Sequence, residues 1–228
     1  MASPNNPDNV QLSDDGTELI YRPGYSASFI RETLARRQLR GLAIEPLLKK
    51  NLVSDLEFLR DCNFLRALSI LSRIDYDFTP LRYLTDLEYL ISRCPLGRNT
   101  IPLEGLKKLK KADLWWRAGI TGLPACSELA EVTMLEVRAD DLTLPELGAG
   151  VRKLVIKSSA IRSLSGVEKA KEMEALYVGG CDRLTDVDAM GDLPALRDAT
   201  FSGCPKVSRA QAKARFGSRI ALAFVSSL

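Results

Sequence analysis

The sequence predicts a curved α/β solenoid, in which short parallel strands stack side by side and brief helical or extended segments return the chain between them. Three observations carry this. A frame with apolar residues at positions 1, 4 and 6 recurs eight times along the 228 residues. The position-4 residues, numbered 42, 68, 90, 112, 135, 154, 176 and 199, are 26, 22, 22, 23, 19, 22 and 23 residues apart. Of the 24 frame positions, only Ser92 is not apolar. Repeats of this length are single units that cannot bury their own apolar face, so they stack until the core closes.

The clearest copies lie near the C-terminus. Met173-Glu-Ala-Leu176-Tyr-Val178-Gly-Gly-Cys181 is followed by Leu196-Arg-Asp-Ala199-Thr-Phe201-Ser-Gly-Cys204. Backward from there, the frame takes Val151, Leu154 and Ile156, then Val132, Leu135 and Val137, then Leu109, Ala112 and Leu114. Leu87, Leu90 and Ser92 precede these, after Leu65, Leu68 and Ile70, and the first copy is Leu39, Leu42 and Ile44. Positions 4 and 6 are two apart on a strand, so both face the core. A second apolar pair packs behind each strand, as in Ile120 with Leu123, Ile161 with Leu164, and Leu184 with Val187.

With this frame the chain resembles the leucine-rich-repeat family, whose LxxLxLxxN/C signature recurs every 20 to 29 residues. The short repeats are similar to those of bacterial, internalin-like proteins. The run Gly180-Cys-x-x-Leu-Thr-Asp186, echoed from Gly203 to Ser208, looks like a cysteine variant of the asparagine position. The resemblance spans residues 39–207 and is specific for fold, not for function. It implies a concave parallel sheet of about eight strands and a protein-binding role. The middle copies depart from it, carrying Arg73, Pro95, Arg117, Asp140 and Ser159 at position 9, so other contacts must hold those turns. The 19-residue copy from Val132 to Gly150, with Leu144-Pro145, predicts a tight, irregular convex side.

Both solenoid ends need caps. Residues 1–38 supply a tail, a strand over Thr17–Tyr21 and a helix from Ser26 or Ser28 to about Arg37 that buries Phe29, Ile30 and Leu34. Residues 208–228 supply a short helix from Ser208 to Phe216 and a covering strand from Ile220 to Val225.

Strand positions 3, 5 and 7 point to the open, concave side. In the central strands they are Tyr89, Ile91, Arg93, Lys111, Asp113, Trp115, Met134, Glu136, Arg138, Lys153, Lys157 and Tyr177, the expected partner-binding set. Aromatic, Met and Arg side chains are enriched at protein interfaces. Trp115 and Trp116 cannot both face one way. The frame favours Trp115 for the inner face, but the sequence does not decide between them. Five cations stand against two acids in this patch, so an acidic partner surface is the natural complement.

The remaining signals limit function. Net charge is +3, which gives no general argument for nucleic acid. No apolar run approaches a membrane span, and the N-terminus lacks a basic start and an apolar segment. The chain has no histidine, hence neither the commonest general base nor the commonest metal ligand, and no GxSxG or phosphate-loop motif. An enzyme, a cofactor and a metal are not expected. Five cysteines, odd in number and without a CxxC pair, fit reduced thiols in a cytoplasm. Cys181 and Cys204 share a frame position in adjacent copies; a disulfide is geometrically open to them, and a stacked pair of thiols is the simpler expectation. The expected function is a non-enzymatic module, monomeric on its own, that binds an unknown protein. The alternative is a bacterial immunity or inhibitor protein that neutralises a toxin or enzyme.

Overall fold

The computed structural model describes residues 10–22, 25–44, 55–72, 74–94, 99–117, 119–143 and 146–225. The chain begins with a hairpin of β1 (Gln11–Leu12) and β2 (Glu18–Ile20), then α1 (Ala27–Arg36). Ser26 caps α1 by accepting the Phe29 N–H, and Phe29, Ile30, Thr33 and Leu34 face inward. The repeats follow as β3 (Gly41–Ile44), β4 (Ala67–Leu71), β5 (Tyr89–Arg93), β6 (Ile101–Pro102), β7 (Lys111–Trp115), β8 (Ile120–Thr121), β9 (Glu131–Leu135), β10 (Lys153–Lys157), β11 (Ala175–Gly179) and β12 (Asp198–Ser202). Then come α2 (Arg209–Phe216), capped by Ser208, and β13 (Ala221–Val225).

One sheet of 11 strands runs in the order β1-β2-β3-β4-β5-β7-β9-β10-β11-β12-β13. All its neighbours are parallel except β1 with β2. The strand count exceeds eight because the N-terminal hairpin and β13 extend the repeat sheet at its two ends. A small second sheet pairs β6 with β8 on the convex side. Leu42, Leu68, Leu90, Ala112, Leu154, Leu176 and Ala199 line the core at position 4, all buried. Full burial of one such aliphatic side chain contributes roughly 1.5–3 kcal/mol. Ile120, Leu123, Ile161, Leu164, Leu184 and Val187 close the core from behind.

The fifth repeat departs from the sequence frame. Val132 pairs with Leu154, and Met134 with Ile156. Position 4 is therefore Val132, not Leu135, and position 1 is Leu129, buried like its counterparts. The spacing from Ala112 becomes 20 residues and that to Leu154 becomes 22, so the 19-residue copy disappears. Both frames offer apolar residues at the required offsets, which is why the pattern alone slid by three. Leu144 and Pro145 lie outside the described residues.

The corrected register exposes two devices that hold the turns. Position 8 is left-handed in the last four repeats: Glu136 (φ 56), Ser158 (φ 50), Gly180 (φ 63) and Gly203 (φ 60). Position 9 then points inward as a ladder of small side chains. Ser159 Oγ accepts the Val137 N–H at 3.0 Å and donates to Lys157 O at 3.0 Å. The Ser159 N–H reaches Cys181 sulfur, and the Cys181 N–H reaches Cys204 sulfur. Ser159, Cys181 and Cys204 thus each meet the backbone of the rung before them. On the convex side, short polar side chains bend the chain into its return segment. Asp55, Asp77, Asp141 and Asp186 accept the N–H two residues on at 2.9–3.0 Å, and Ser163 does so at 3.0 Å.

The fourth repeat solves its turn differently. Arg117 is nearly buried, pairs with Asp75 at 3.3 Å and lies over the Phe78 ring, 5.1 Å from its centroid. Asp75 also accepts the Asn99 N–H at 3.1 Å, and Asn99 Nδ2 donates to Tyr76 O at 3.0 Å. This cluster ties side chains of the second, third and fourth repeats together. Arg73 and Pro95, the other expected position-9 residues there, lie outside the described residues.

Candidate partner-binding face

The parallel register sorts the inner-face residues into rows that cross the sheet. Position 3 runs Tyr89, Lys111, Glu131, Lys153 and Ala175. Position 5 runs Ile91, Asp113, Thr133, Val155 and Tyr177. Position 7 includes Trp115, Leu135, Lys157 and Gly179 as consecutive partners. Neighbouring strands are about 4.8 Å apart, so each row is a line of side chains in contact range.

Of the residues expected from sequence, Tyr89, Ile91, Arg93, Lys111, Asp113, Trp115, Lys153, Lys157 and Tyr177 come together on this face in β5, β7, β10 and β11. Trp115 stands half-exposed on it, and Trp116 is buried at 8 %. Met134 does not belong to the face: it is fully buried, in register with Ile156. Glu136 and Arg138 lie past the end of β9, at the rim, not within the sheet. The three-residue slip in the fifth repeat accounts for all three displacements. It also hid Glu131, Thr133 and Leu135, which the true register puts on the inner face, with Leu135 directly beside Trp115.

The electrostatics change with these positions. Arg93 grips Asp113 with two parallel bonds, Nε to Oδ1 at 3.1 Å and Nη2 to Oδ2 at 2.6 Å. That hydrogen bonding raises the Arg93 pKa further. Glu131 sits between Lys111 at 3.4 Å and Lys153 at 3.9 Å. Arg138 pairs with Glu136 at 3.4 Å, with its side chain 82 % exposed. Lys157 is the face's remaining cation, its Nζ 5.9 Å from the Tyr177 ring centroid. Adding Glu131 lowers the positive excess from +3 to +2, and four of the five cations stand beside an acid, two of them sharing Glu131.

Between the paired charges runs half-exposed apolar surface: Leu71, Ile91, Trp115, Leu135, Val155 and Tyr177, with Tyr89 48 % exposed at one margin. Tyr177 lies flat across Gly179, where a Cβ would come within 2.8 Å of its ring. Gly179 is what lets the tyrosine lie down along the strand. A flat aromatic with a lysine over its face is a rigid contact element, costing little side-chain entropy to use.

Comparison with solved structures places the fold. An internalin C2 from Listeria monocytogenes matches with a TM-score of 0.59 and 19 % identity, over 86 % of this chain and 84 % of that one. A second Listeria monocytogenes internalin, inlF, matches with a TM-score of 0.52 and 16 % identity, over 92 % and 81 % of the two chains. The functional domain of InlJ from Listeria monocytogenes, described as including a cysteine ladder, matches with a TM-score of 0.50 and 17 % identity, over 85 % and 48 %. No protein-family model matches the sequence, and no curated protein matches it. At these identities the likeness establishes the fold, an internalin-like leucine-rich-repeat solenoid. No helix among the described residues is long and apolar enough to cross a membrane.

Proposed function

We propose that this internalin-like leucine-rich-repeat chain is a non-enzymatic module that binds a partner protein on its concave sheet face. One observation carries the reading. Partly exposed apolar and aromatic side chains recur on every central strand, with Trp115 and Leu135 side by side, while most of the cations around them stand beside an acid. Covering these apolar side chains removes them from water, the favourable term at the core of a protein interface, while the charges stay at its rim. Trp115 and Leu135 form its centre, where a hot spot would sit. Binding rather than catalysis is supported by a chain without histidine. A reducing, cytoplasmic setting belongs to the same proposal and is supported by an odd number of cysteines with no CxxC pair.

The test is a pull-down from the source cell with the wild type beside three variants, followed by direct affinity measurement on each captured protein. Trp115→Ala and Leu135→Glu should lose the same captured protein. Lys169→Glu, on the convex side, should keep it. Equal affinity for wild type, Trp115→Ala and Leu135→Glu would sink the concave-face reading. If the captured protein is a toxin or an enzyme whose activity stops on binding, the module is an inhibitor.

A further inference from the structure

We infer that Cys181 and Cys204 form an oxidisable dithiol, in which a hydroperoxide reacts first at Cys204 and Cys181 then resolves the product to a disulfide. The register supplies the geometry. Gly179 pairs with Ser202, and two residues beyond each stands a cysteine. Rungs about 4.8 Å apart fall inside the roughly 4.4–6.8 Å Cα window of disulfides. Cys204 Sγ lies 3.5 Å from Ser202 O and 3.6 Å from Val178 O, so it leans back over the preceding repeat. Cys181 Sγ lies 3.6 Å from Gly179 O, to which its thiol donates.

Access and activation both single out Cys204. It is partly exposed and opens into a surface cleft with Asp182, Pro205, Arg209 and Phe224, whereas Cys181 is fully buried. The neighbouring Cys181 thiol, together with the Cys181 and Ser202 N–H groups, holds the Cys204 thiol below its ordinary range. Cys181, beside that thiol and buried, is raised above the ordinary thiol range. The other cysteines are protected. Burial pushes Cys62 and Cys126 up to about 11, and raises Cys94 as well.

The chemistry balances in two steps. The Cys204 thiolate attacks a peroxide oxygen: an S–O bond forms, the O–O bond breaks, and the released alkoxide or hydroxide takes up a proton. Sulfur gives up two electrons and becomes a sulfenic acid. Cys181 sulfur then attacks Cys204 sulfur: the S–S bond forms, the S–O bond breaks, and the hydroxyl leaves as water with the Cys181 proton. Two thiols and one hydroperoxide become one disulfide, one alcohol or water, and one further water. Stacked side chains keep their Cβ atoms near the rung spacing, roughly 0.3 Å wider than the usual disulfide range. The bridge must pinch the two rungs, so dithiothreitol should reopen it readily.

The test uses the reduced, native chain titrated with hydrogen peroxide. After denaturation, the oxidised wild type should show a loss of two of its five thiols, with one peptide cross-link between Cys181 and Cys204 and a mass lower by two hydrogens. Cys181→Ser should stop at a Cys204 sulfenic acid that dimedone traps; Cys204→Ser should keep its remaining thiols at the same dose. Serine already fills this rung at Ser159, so both variants should fold, and circular dichroism checks that they do. The inference is overturned if native Cys204 reacts no faster than Cys126, if the cross-link joins two chains, or if Cys204 proceeds to sulfinic acid while Cys181 stays reduced.

Discussion

Glu136 and Ser158 occupy left-handed backbone that glycine holds in the next two repeats, so replacing either with glycine should stabilise the solenoid. An L-residue in that region costs roughly 1–2 kcal/mol. Glycine there loses roughly 0.5–1 kcal/mol of this gain through the freedom it adds to the unfolded chain. The net expectation is about 0.5–1 kcal/mol per site. Glu136→Gly also removes the ion pair with Arg138, but that arginine is 82 % exposed and such pairs contribute little. The reverse substitution tests the same term with opposite sign. A Cβ on Gly180 would meet Ser158 at an ordinary 3.6 Å, so Gly180→Ala probes backbone strain and not a clash. It should destabilise by about 0.5–1 kcal/mol, since the methyl carries the left-handed cost and recovers the unfolded-state term. For a domain of this size, 1 kcal/mol moves the thermal midpoint by about 2–4 °C. Urea and thermal midpoints of Glu136→Gly, Ser158→Gly and Gly180→Ala are the assay. A lower midpoint for Ser158→Gly, or an unchanged one for Gly180→Ala, would refute the turn geometry, and a lower midpoint for Glu136→Gly would refute it in the fifth repeat.

Further outcomes follow from other parts of the fold. Leu154 is fully buried at the centre of the array; Leu154→Asp should cost on the order of 4 kcal/mol or more and abolish the cooperative thermal transition seen by circular dichroism. Arg117 and Asp75 form a largely buried pair; Asp75→Ala should destabilise by about 2–3 kcal/mol, and Arg117→Met with Asp75→Ala together by less than the sum of the two, read from a double-mutant cycle in urea. Asp77 and Asp141 are held below the ordinary carboxylate value of 3.8 by hydrogen bonds from Thr79 and Thr143. Because their folded pKa is depressed, their contribution is present above that value and lost as the pH falls through the folded pKa. Urea midpoints of the wild type should therefore drop more steeply below about pH 4 than those of Asp77→Asn/Asp141→Asn.

The sequence made the solenoid legible because its core signal is repeated and its errors are local. Leu154 with Ile156 and Leu176 with Val178 are set by alternation within each strand and by agreement with the next repeat. In the fifth repeat, Leu129, Val132, Met134, Leu135 and Val137 supply apolar residues to two frames three apart, and only strand pairing chooses between them. The cue that could have chosen was the spacing: Val132 gives steps of 20 and 22, closer to the prevailing period than 23 and 19. Once that frame is taken, Glu136 aligns with Ser158, Gly180 and Gly203, so a turn signature becomes visible that a glutamate does not announce. The inner face suffered most because side-chain direction alternates with every residue. A slip of three, being odd, sends Met134 inward and brings Leu135 out. The charge pattern shows a second limit. Counting residue types on the face gave an excess of +3 seeking an acidic partner; the true register adds Glu131 between two lysines, which lowers that excess to +2. What remains available to a partner is mainly apolar. Binding through Trp115 and Leu135 should therefore survive raised salt, and an affinity that collapses between low and moderate ionic strength would return the weight to the charges.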